Sequence, residues 1–201
     1  MSANTSEEQR IAGCSFSVYP MSDRFSNLIL DALKATDSSK VWMKTDKVST
    51  IARGRIPHIF DVSQAVFLHI AKTGVHTVYS ATFSVGCPGD TAGHSYMAKD
   101  EKPMNHNSIS SIKKDVTAKF ALYPMGGGNY MDLIYEQIEA MKKHGVEVTP
   151  THYETILAGS AQDVFSGLEK VLRATEEAGS KHTIMTVTIS ANSPSGDEVE
   201  I

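Results

Sequence analysis

The chain has 201 residues, of which 41% are hydrophobic and 21% charged, so it can fill a hydrophobic core, and a disordered or low-complexity protein is excluded. With 19 basic against 23 acidic residues the formal net charge is −4, and without a basic excess we do not expect nucleic-acid binding. Two cysteines form no disulfide framework, the first ten residues have no signal-peptide core, and no apolar run could span a membrane, so we expect a cytoplasmic protein without membrane insertion.

The first predicted elements alternate between strand and helix patterns. Cys14–Tyr19 alternates in polarity as a strand does, and apolar residues from Phe25 to Leu33 then recur at helical spacing behind a possible cap at Ser22. Val41–Asp46 and Val48–Arg53 are short enough to form a β-hairpin. A second helix follows with Pro57 in its first turn, and a long strand, 76–86, ends the series.

The second half of the chain repeats the first. Three segments recur in the same order at an offset of 104 to 106 residues: Phe16–Met21 as Phe120–Met125, Thr50–Gly54 as Thr155–Gly159, and His76–Ser84 as His182–Ser190. In the second copy Ser160 and Asp163 have the spacing of a helix cap. Each copy therefore reads βαββαβ, which predicts an α+β fold of tandem ferredoxin-like repeats with antiparallel sheets in the strand order 4-1-3-2.

This repeat sets the predicted domain boundaries and leaves one sheet face open. We expect subdomains at 10–88 and 116–194, joined by a connector at 89–115. The open face carries small polar side chains such as Ser80, Thr82, Thr186 and Thr188. Such a face is covered either by another sheet or by a small polar ligand, and two open faces packed together would form a cleft.

Motifs of catalysis are missing from the sequence. It has no nucleophile elbow, P-loop, dinucleotide fingerprint or HExxH zinc motif, so we expect no cofactor, no metal and no enzyme. His76 and His182 are equivalent positions at which we expect a structural role. Cys14 and Cys87 could meet on neighbouring strands and oxidise reversibly, or they could be ordinary thiols. Trp42, the only tryptophan, could pack or could stack on a heteroaromatic ring.

Several blocks resemble one known family, the YkoF-type thiamin/hydroxymethylpyrimidine-binding proteins. The resemblance extends from about Arg10 to Ser195, and the blocks that carry it include Phe16–Met21, Ser39–Trp42, Lys44–Asp46, Phe83–Asp90, Phe120–Met125 and Ser190–Ser195. It implies a homodimer that binds thiamin or its hydroxymethylpyrimidine precursor in the cytoplasm, in vitamin B1 uptake or salvage, without catalysis. An amino-acid-sensing regulatory tandem of the same fold is the alternative, and an enzyme with its site at a subunit interface is a third possibility.

The resemblance also implies ligand-binding positions in both copies. With Trp42 added, they are Ser17, Tyr19, Thr50, Ser84 and Gly86 in the first copy and Tyr123, Thr155, Ser190 and Asn192 in the second. The copies differ because Ser17 corresponds to Ala121 and Gly86 to Asn192, so we expect two sites of unequal affinity. Asp46 and Asp90 could accompany a thiazolium charge or could form turns.

Overall fold

The computed structural model describes residues 10–87, 93, 98–126 and 130–195. The helices and strands of these residues are, in chain order, β1 (Ala12–Pro20), α1 (Phe25–Ala35), β2 (Trp42–Thr45), β3 (Thr50–Gly54), α2 (Ile56–Ala71), β4 (Thr77–Val85), α3 (His106–Ile109), β5 (Asp115–Met125), α4 (Met131–Lys143), β6 (Glu147–Pro150), β7 (Thr155–Ser160), α5 (Ala161–Glu177) and β8 (His182–Ala191). Apart from the short α3, each half has the predicted order βαββαβ.

The strands form one antiparallel sheet with the order β2-β3-β1-β4-β8-β5-β7-β6, so each repeat has the predicted order 4-1-3-2. At the centre β4 pairs with β8, from Thr77 opposite Ala191 to Val85 opposite Thr183. The repeats therefore join edge to edge, and their open faces lie side by side. The two open faces of one chain therefore do not pack together, because a continuous sheet holds both on the same side. The expectation of a cleft between them is wrong within the chain.

The helices cover the other face of the sheet and enclose the core. In the helix layer α2 packs against α5, with α1 beside α2 and α4 beside α5. The rings of Tyr79 in β4 and Phe165 in α5 meet at 5.5 Å, and Phe67 of α2 lies 5.9 Å from Phe165. Because these aromatic contacts cross from one repeat to the other, the two repeats share one core.

Two helix starts differ in how they are capped. The Ser160 hydroxyl accepts the Asp163 N–H at 3.2 Å and caps α5 as predicted. Helix α1 begins only at Phe25, without a side-chain cap. The Ser22 hydroxyl instead accepts the N–H of Arg24 at 3.2 Å, so the expected cap at Ser22 is wrong, because this serine belongs to the turn before the helix.

Part of the connector packs as a strap, residues 98–109, across the N-terminal half of α2. The side chain of Asn105, which is 1% exposed, accepts the Asp37 N–H at 2.8 Å and donates to the Asp61 carboxylate at 2.8 Å. Lys40 forms an ion pair with Asp100 at 2.6 Å. The polar composition predicted only a connector, because its partners are distant in sequence.

Candidate functional site

A cavity of about 380 Å³ opens in the first repeat between α1, the end of β1 and the β2–β3 hairpin. We call it the first-repeat cavity. Three of the predicted ligand-binding residues, Ser17, Tyr19 and Thr50, line it. The structure therefore brings three of the predicted residues together beside α1.

Two threonine hydroxyls lie among the apolar walls of this cavity. Thr50 pairs with Phe16 across the strands and therefore faces the helices. Its hydroxyl lies 2.9 Å from that of Thr45, and Thr50 is 6% exposed. Ile29 and Leu33 of α1 form an apolar wall. An apolar slot with few, well-placed polar groups suits a flat ring that makes a few hydrogen bonds.

Helix α1 is incompletely buried by the chain itself. Its apolar stripe runs from Phe25 to Leu33, yet Ala32 is the only buried residue of this helix. By contrast, α2 is buried along nearly its whole length. The sequence pattern predicted an amphipathic helix here. The cavity residues Phe25, Ile29 and Leu33 were missed as site residues, because helical spacing alone does not tell a core face from a ligand wall.

The tip of the β2–β3 hairpin, residues 46–49, forms the rim of the cavity. The Asp46 carboxylate accepts the N–H groups of Val48 at 2.7 Å and Ser49 at 2.9 Å. Both hydrogen bonds lower the pKa of Asp46, and the one from Ser49 has the larger effect. The side chain of Asp46 therefore forms the turn, one of its two expected roles, and stays ionised at the rim.

Large apolar side chains are exposed around this mouth and at the equivalent place of the second repeat. In the first repeat they are Tyr19, Met21, Phe25 and Val48, and in the second Tyr123, Met125, Met131 and Tyr153. An apolar patch repeated in this way marks a binding surface better than scattered exposed residues do. Each repeat thus has an apolar patch at the equivalent place.

Two predicted serines lie instead at the seam between the repeats. The Ser84 hydroxyl is 3.2 Å from Nε2 of His182, and the Ser190 hydroxyl is 3.1 Å from Nε2 of His76. The two pairs are equivalent, because Ser84 and Ser190 are 106 positions apart, as are His76 and His182. The two histidines therefore have the structural role expected of them, and both serines lie outside the first-repeat cavity.

Gly86 has a left-handed backbone that a side chain could not share. Its φ is +74°, and a Cβ atom there would lie 2.2 Å from the carbonyl oxygen of Lys181. The guanidinium of Arg10 fills the adjoining space and donates to the carbonyls of Ser180 and Lys181. Gly86 is thus a position of close packing between the N-terminal segment and the second repeat.

Asn192, the equivalent of Gly86, also has a left-handed backbone, with φ +55°. Its amide nitrogen donates to the carbonyls of Ala71 at 2.8 Å and Val75 at 3.0 Å. Its amide oxygen accepts from Nζ of Lys114 at 2.9 Å. These bonds tie the end of β8 to the end of α2, and the structure does not bring Asn192 together with the first-repeat cavity.

The remaining predicted residues lie on the outer strands and in the second repeat. Trp42 is on the edge strand β2 opposite Arg53 and does not line the first-repeat cavity. Thr155 pairs with Phe120, as Thr50 does with Phe16. Tyr123 is 52% exposed, as is Tyr19. Thr155 and Tyr123 therefore have the same places in the second repeat as two cavity residues have in the first.

Catalytic and redox alternatives find little support in the described residues. Cys14 is buried opposite Phe83, Cys87 is exposed, and both are free thiols; burial raises the pKa of Cys14, which favours the expectation of ordinary thiols. The described ranges contain no group of three His, Cys, Asp or Glu that could hold a metal ion. Asp90 lies outside them.

A larger cavity, of about 660 Å³, lies where the repeats meet and contains none of the predicted site residues. Its charged side chains largely pair with one another, for example Arg10 with Glu176 at 2.6 Å and Arg173 with Glu101 at 3.1 Å.

Across the described ranges, no helix combines the length and the apolar character needed to cross a bilayer.

Comparisons with known proteins agree with the repeat and with the resemblance. The model of the YKOF-related family matches residues 11–90 and 115–196. A Bacillus subtilis (strain 168) protein named "Putative HMP/thiamine-binding protein YkoF" is 49% identical over 186 residues, which is 92% of each chain. A Bacillus cereus structure of a DUF77 domain of unknown function is 21% identical, with a TM-score of 0.34 over 39% of this chain and 77% of its own. The chain belongs to the YKOF-related family.

Proposed function

We propose that the protein binds thiamin or its hydroxymethylpyrimidine precursor in the first-repeat cavity and at the equivalent place of the second repeat. The observation that carries this proposal is the apolar slot beside α1, with the Thr45 and Thr50 hydroxyls 2.9 Å apart. The name of the Bacillus subtilis relative supports the choice of ligand. A planar ring would bury the apolar stripe of α1 that the chain itself leaves partly exposed.

The hydroxyls of the cavity support this ligand class. The threonine hydroxyls can both donate and accept, as an aminopyrimidine requires. The rim carries side chains of both signs, the ionised carboxylate of Asp46 and the side chain of Lys47, so it accommodates a cationic thiazolium as well as a neutral pyrimidine.

Titration calorimetry with thiamin and with hydroxymethylpyrimidine tests the proposal. Thr50→Val keeps the shape of the side chain and removes one hydroxyl, so we expect about tenfold weaker binding at one class of site. The same change at exposed Thr149 on the edge strand β6 serves as the control. Absence of heat and of a thermal shift with both ligands would end the proposal, and equal losses at both classes would contradict the assignment of Thr50.

Calorimetry also tests the two alternatives, an amino-acid sensor and an enzyme. Binding of amino acids in place of thiamin would favour a regulatory amino-acid sensor, and turnover of thiamin or a thiamin phosphate would favour an enzyme. Neither alternative has a specific observation in its favour within the first-repeat cavity. We propose that the bound ligand serves vitamin B1 uptake or salvage in the cytoplasm. Cell fractionation of the tagged protein tests the location.

We also propose a homodimer in which a second copy covers the open sheet face. The described helices pack on the opposite face, and exposed small residues such as Ser80, Thr82 and Thr188 line the open one. Small side chains allow two sheets to approach closely. Sedimentation should give a dimer that Thr82→Lys converts to a monomer; a monomeric wild-type protein would refute this arrangement.

A further inference from the structure

The hairpin tip of the first repeat is held by side-chain hydrogen bonds. Besides the two N–H groups that Asp46 accepts from Val48 and Ser49, the Ser17 hydroxyl donates to the Val48 carbonyl at 2.8 Å. The Ser15 hydroxyl donates to that of Ser49 at 3.1 Å. These bonds close the turn and tie it to β1, so the rim of the first-repeat cavity is organised before any ligand arrives.

The equivalent tip in the second repeat, residues 151–154, lacks these bonds. Every residue of that network is replaced: Ser15 by Lys119, Ser17 by Ala121, Asp46 by Thr151, Val48 by Tyr153 and Ser49 by Glu154. The bond from the Thr151 N–H to the Glu154 carbonyl, 3.0 Å, remains and matches the bond between Asp46 and Ser49. No side-chain bond takes the place of the lost ones among the residues that the structure describes. The second tip is therefore held by fewer hydrogen bonds than the first.

Tyr153 at this tip combines an unfavourable backbone conformation with an exposed ring. Its φ of +70° is in the left-handed region, which non-glycine residues seldom adopt, and its side chain is 96% exposed. A large aromatic ring gains from burial only when a partner covers it. Closing the tip over a ligand would provide that partner.

The strand pairing shows that this tip is the equivalent of the first-repeat tip. Pro150 pairs with Thr155, and Thr155 with Phe120, in the same register as Thr45 with Thr50 and Thr50 with Phe16. In the first repeat the residues that follow Thr45 line the cavity. By the same register Tyr153 and Glu154 take the places of two cavity residues, Val48 and Ser49.

We infer that residues 151–154 are a lid that closes over the ligand of the second repeat and selects a cationic heteroaromatic ring. The aromatic face of Tyr153 attracts a cation. The Glu154 carboxylate, where the first repeat has Ser49, keeps one negative charge at this tip, since Thr151 replaces Asp46, while Lys119 takes the place of Ser15. His152 is exposed at the same tip, with its ring 6.3 Å from that of Tyr153. This inference rests on the proposed function and refines it: the lid prefers thiamin, which carries a thiazolium, over the neutral pyrimidine.

Hydrogen exchange on the full chain tests whether the tip moves. In the free protein, the amides of Tyr153 and Glu154 should exchange at least about tenfold faster than those of Val48 and Ser49, because only the latter two donate to the Asp46 carboxylate. Saturating thiamin should slow exchange at 151–154. The triple change Lys119→Ser, Ala121→Ser and Thr151→Asp restores the network of the first repeat and should slow exchange there without a ligand.

Calorimetry tests the selectivity. Tyr153→Ala and Glu154→Ser should each weaken thiamin binding at the second class about five- to tenfold and change hydroxymethylpyrimidine binding less than twofold. Val48→Ala is the matched control in the first repeat and should leave the second class unchanged. If neither ligand binds, the proposed function fails and the lid with it. If two classes bind but exchange at 151–154 does not respond to thiamin, or if the ratio of the two affinities is unaltered in both variants, the lid alone is refuted. A single class that Thr50→Val weakens would also refute it.

Discussion

Asn105→Ala should show how much stability the strap contributes. The side chain is 1% exposed and makes three hydrogen bonds: it accepts the Asp37 N–H at 2.8 Å, and it donates to the Asp37 carbonyl at 2.9 Å and to the buried Asp61 carboxylate at 2.8 Å. Asp37 is exposed, so water can replace its lost partners at a cost of about 0.5 kcal/mol each. The bond to the Asp61 carboxylate is worth about 2 kcal/mol, so the free energy of unfolding should fall by about 3 kcal/mol. That is a large part of the stability of an ordinary domain.

Urea unfolding at pH 7, followed by circular dichroism, measures this loss. The midpoint should fall while the slope with urea stays the same, because the folded state keeps its buried surface. Asn107→Ala is a matched control, since this residue is exposed in α3 two positions further along. If Asn105→Ala costs no more than Asn107→Ala, the strap does not hold α2 as described.

Two further predictions concern a closely packed glycine and a buried histidine. Gly86→Ala should lower the melting temperature much more than Gly74→Ala. Both glycines have a positive φ, but only at Gly86 would the new Cβ meet the carbonyl of Lys181, at 2.2 Å. Equal shifts in melting temperature would contradict this packing. Buried His58, whose ring nitrogens have no partner among the described residues, should make stability depend on pH, because burial and the charge of Lys40 lower its pKa. As the pH falls, the His58 imidazole is protonated in the unfolded chain before it is protonated in the folded one. Its contribution to stability is therefore complete above about pH 6.5 and is lost as the pH drops toward the lowered folded-state pKa. The free energy of unfolding, measured at pH 7.5 and 5.5, should fall less in His58→Gln than in the wild type, and an equal fall would refute the role of His58.

The elements of the fold were predictable because their signals are local. Alternation along Cys14–Tyr19 and helical spacing from Phe25 to Leu33 depend on residues within a few positions of each other. The hairpin was predicted longer than it is, with strands up to Asp46 and from Val48, whereas the strands end at Thr45 and resume at Thr50. The difference arises because the Asp46 carboxylate accepts backbone N–H groups at the tip, and such a turn competes with the ladder.

The site was predictable only in part. Ser17, Tyr19 and Thr50 line the cavity, while Ser84 and Asn192 bond across the seam and at the end of α2. Alternation assigns a residue to a sheet face, but it does not say which face has a cavity or which polar groups already have partners. Those facts depend on how α1 and β8 pack against the rest of the chain, which local patterns do not determine.

The sequence by itself determined that the chain is two copies of one βαββαβ unit, because a repeat and short-range periodicity need no knowledge of long-range contacts. It also indicated that the two copies differ, since Ser17 and Ala121 occupy equivalent places. Only the tertiary structure decided that β4 pairs with β8 to make one sheet, that a strap held by Asn105 crosses α2, and that α1 stands beside a cavity. These features depend on contacts between distant residues, where many arrangements satisfy the same local pattern and packing selects among them.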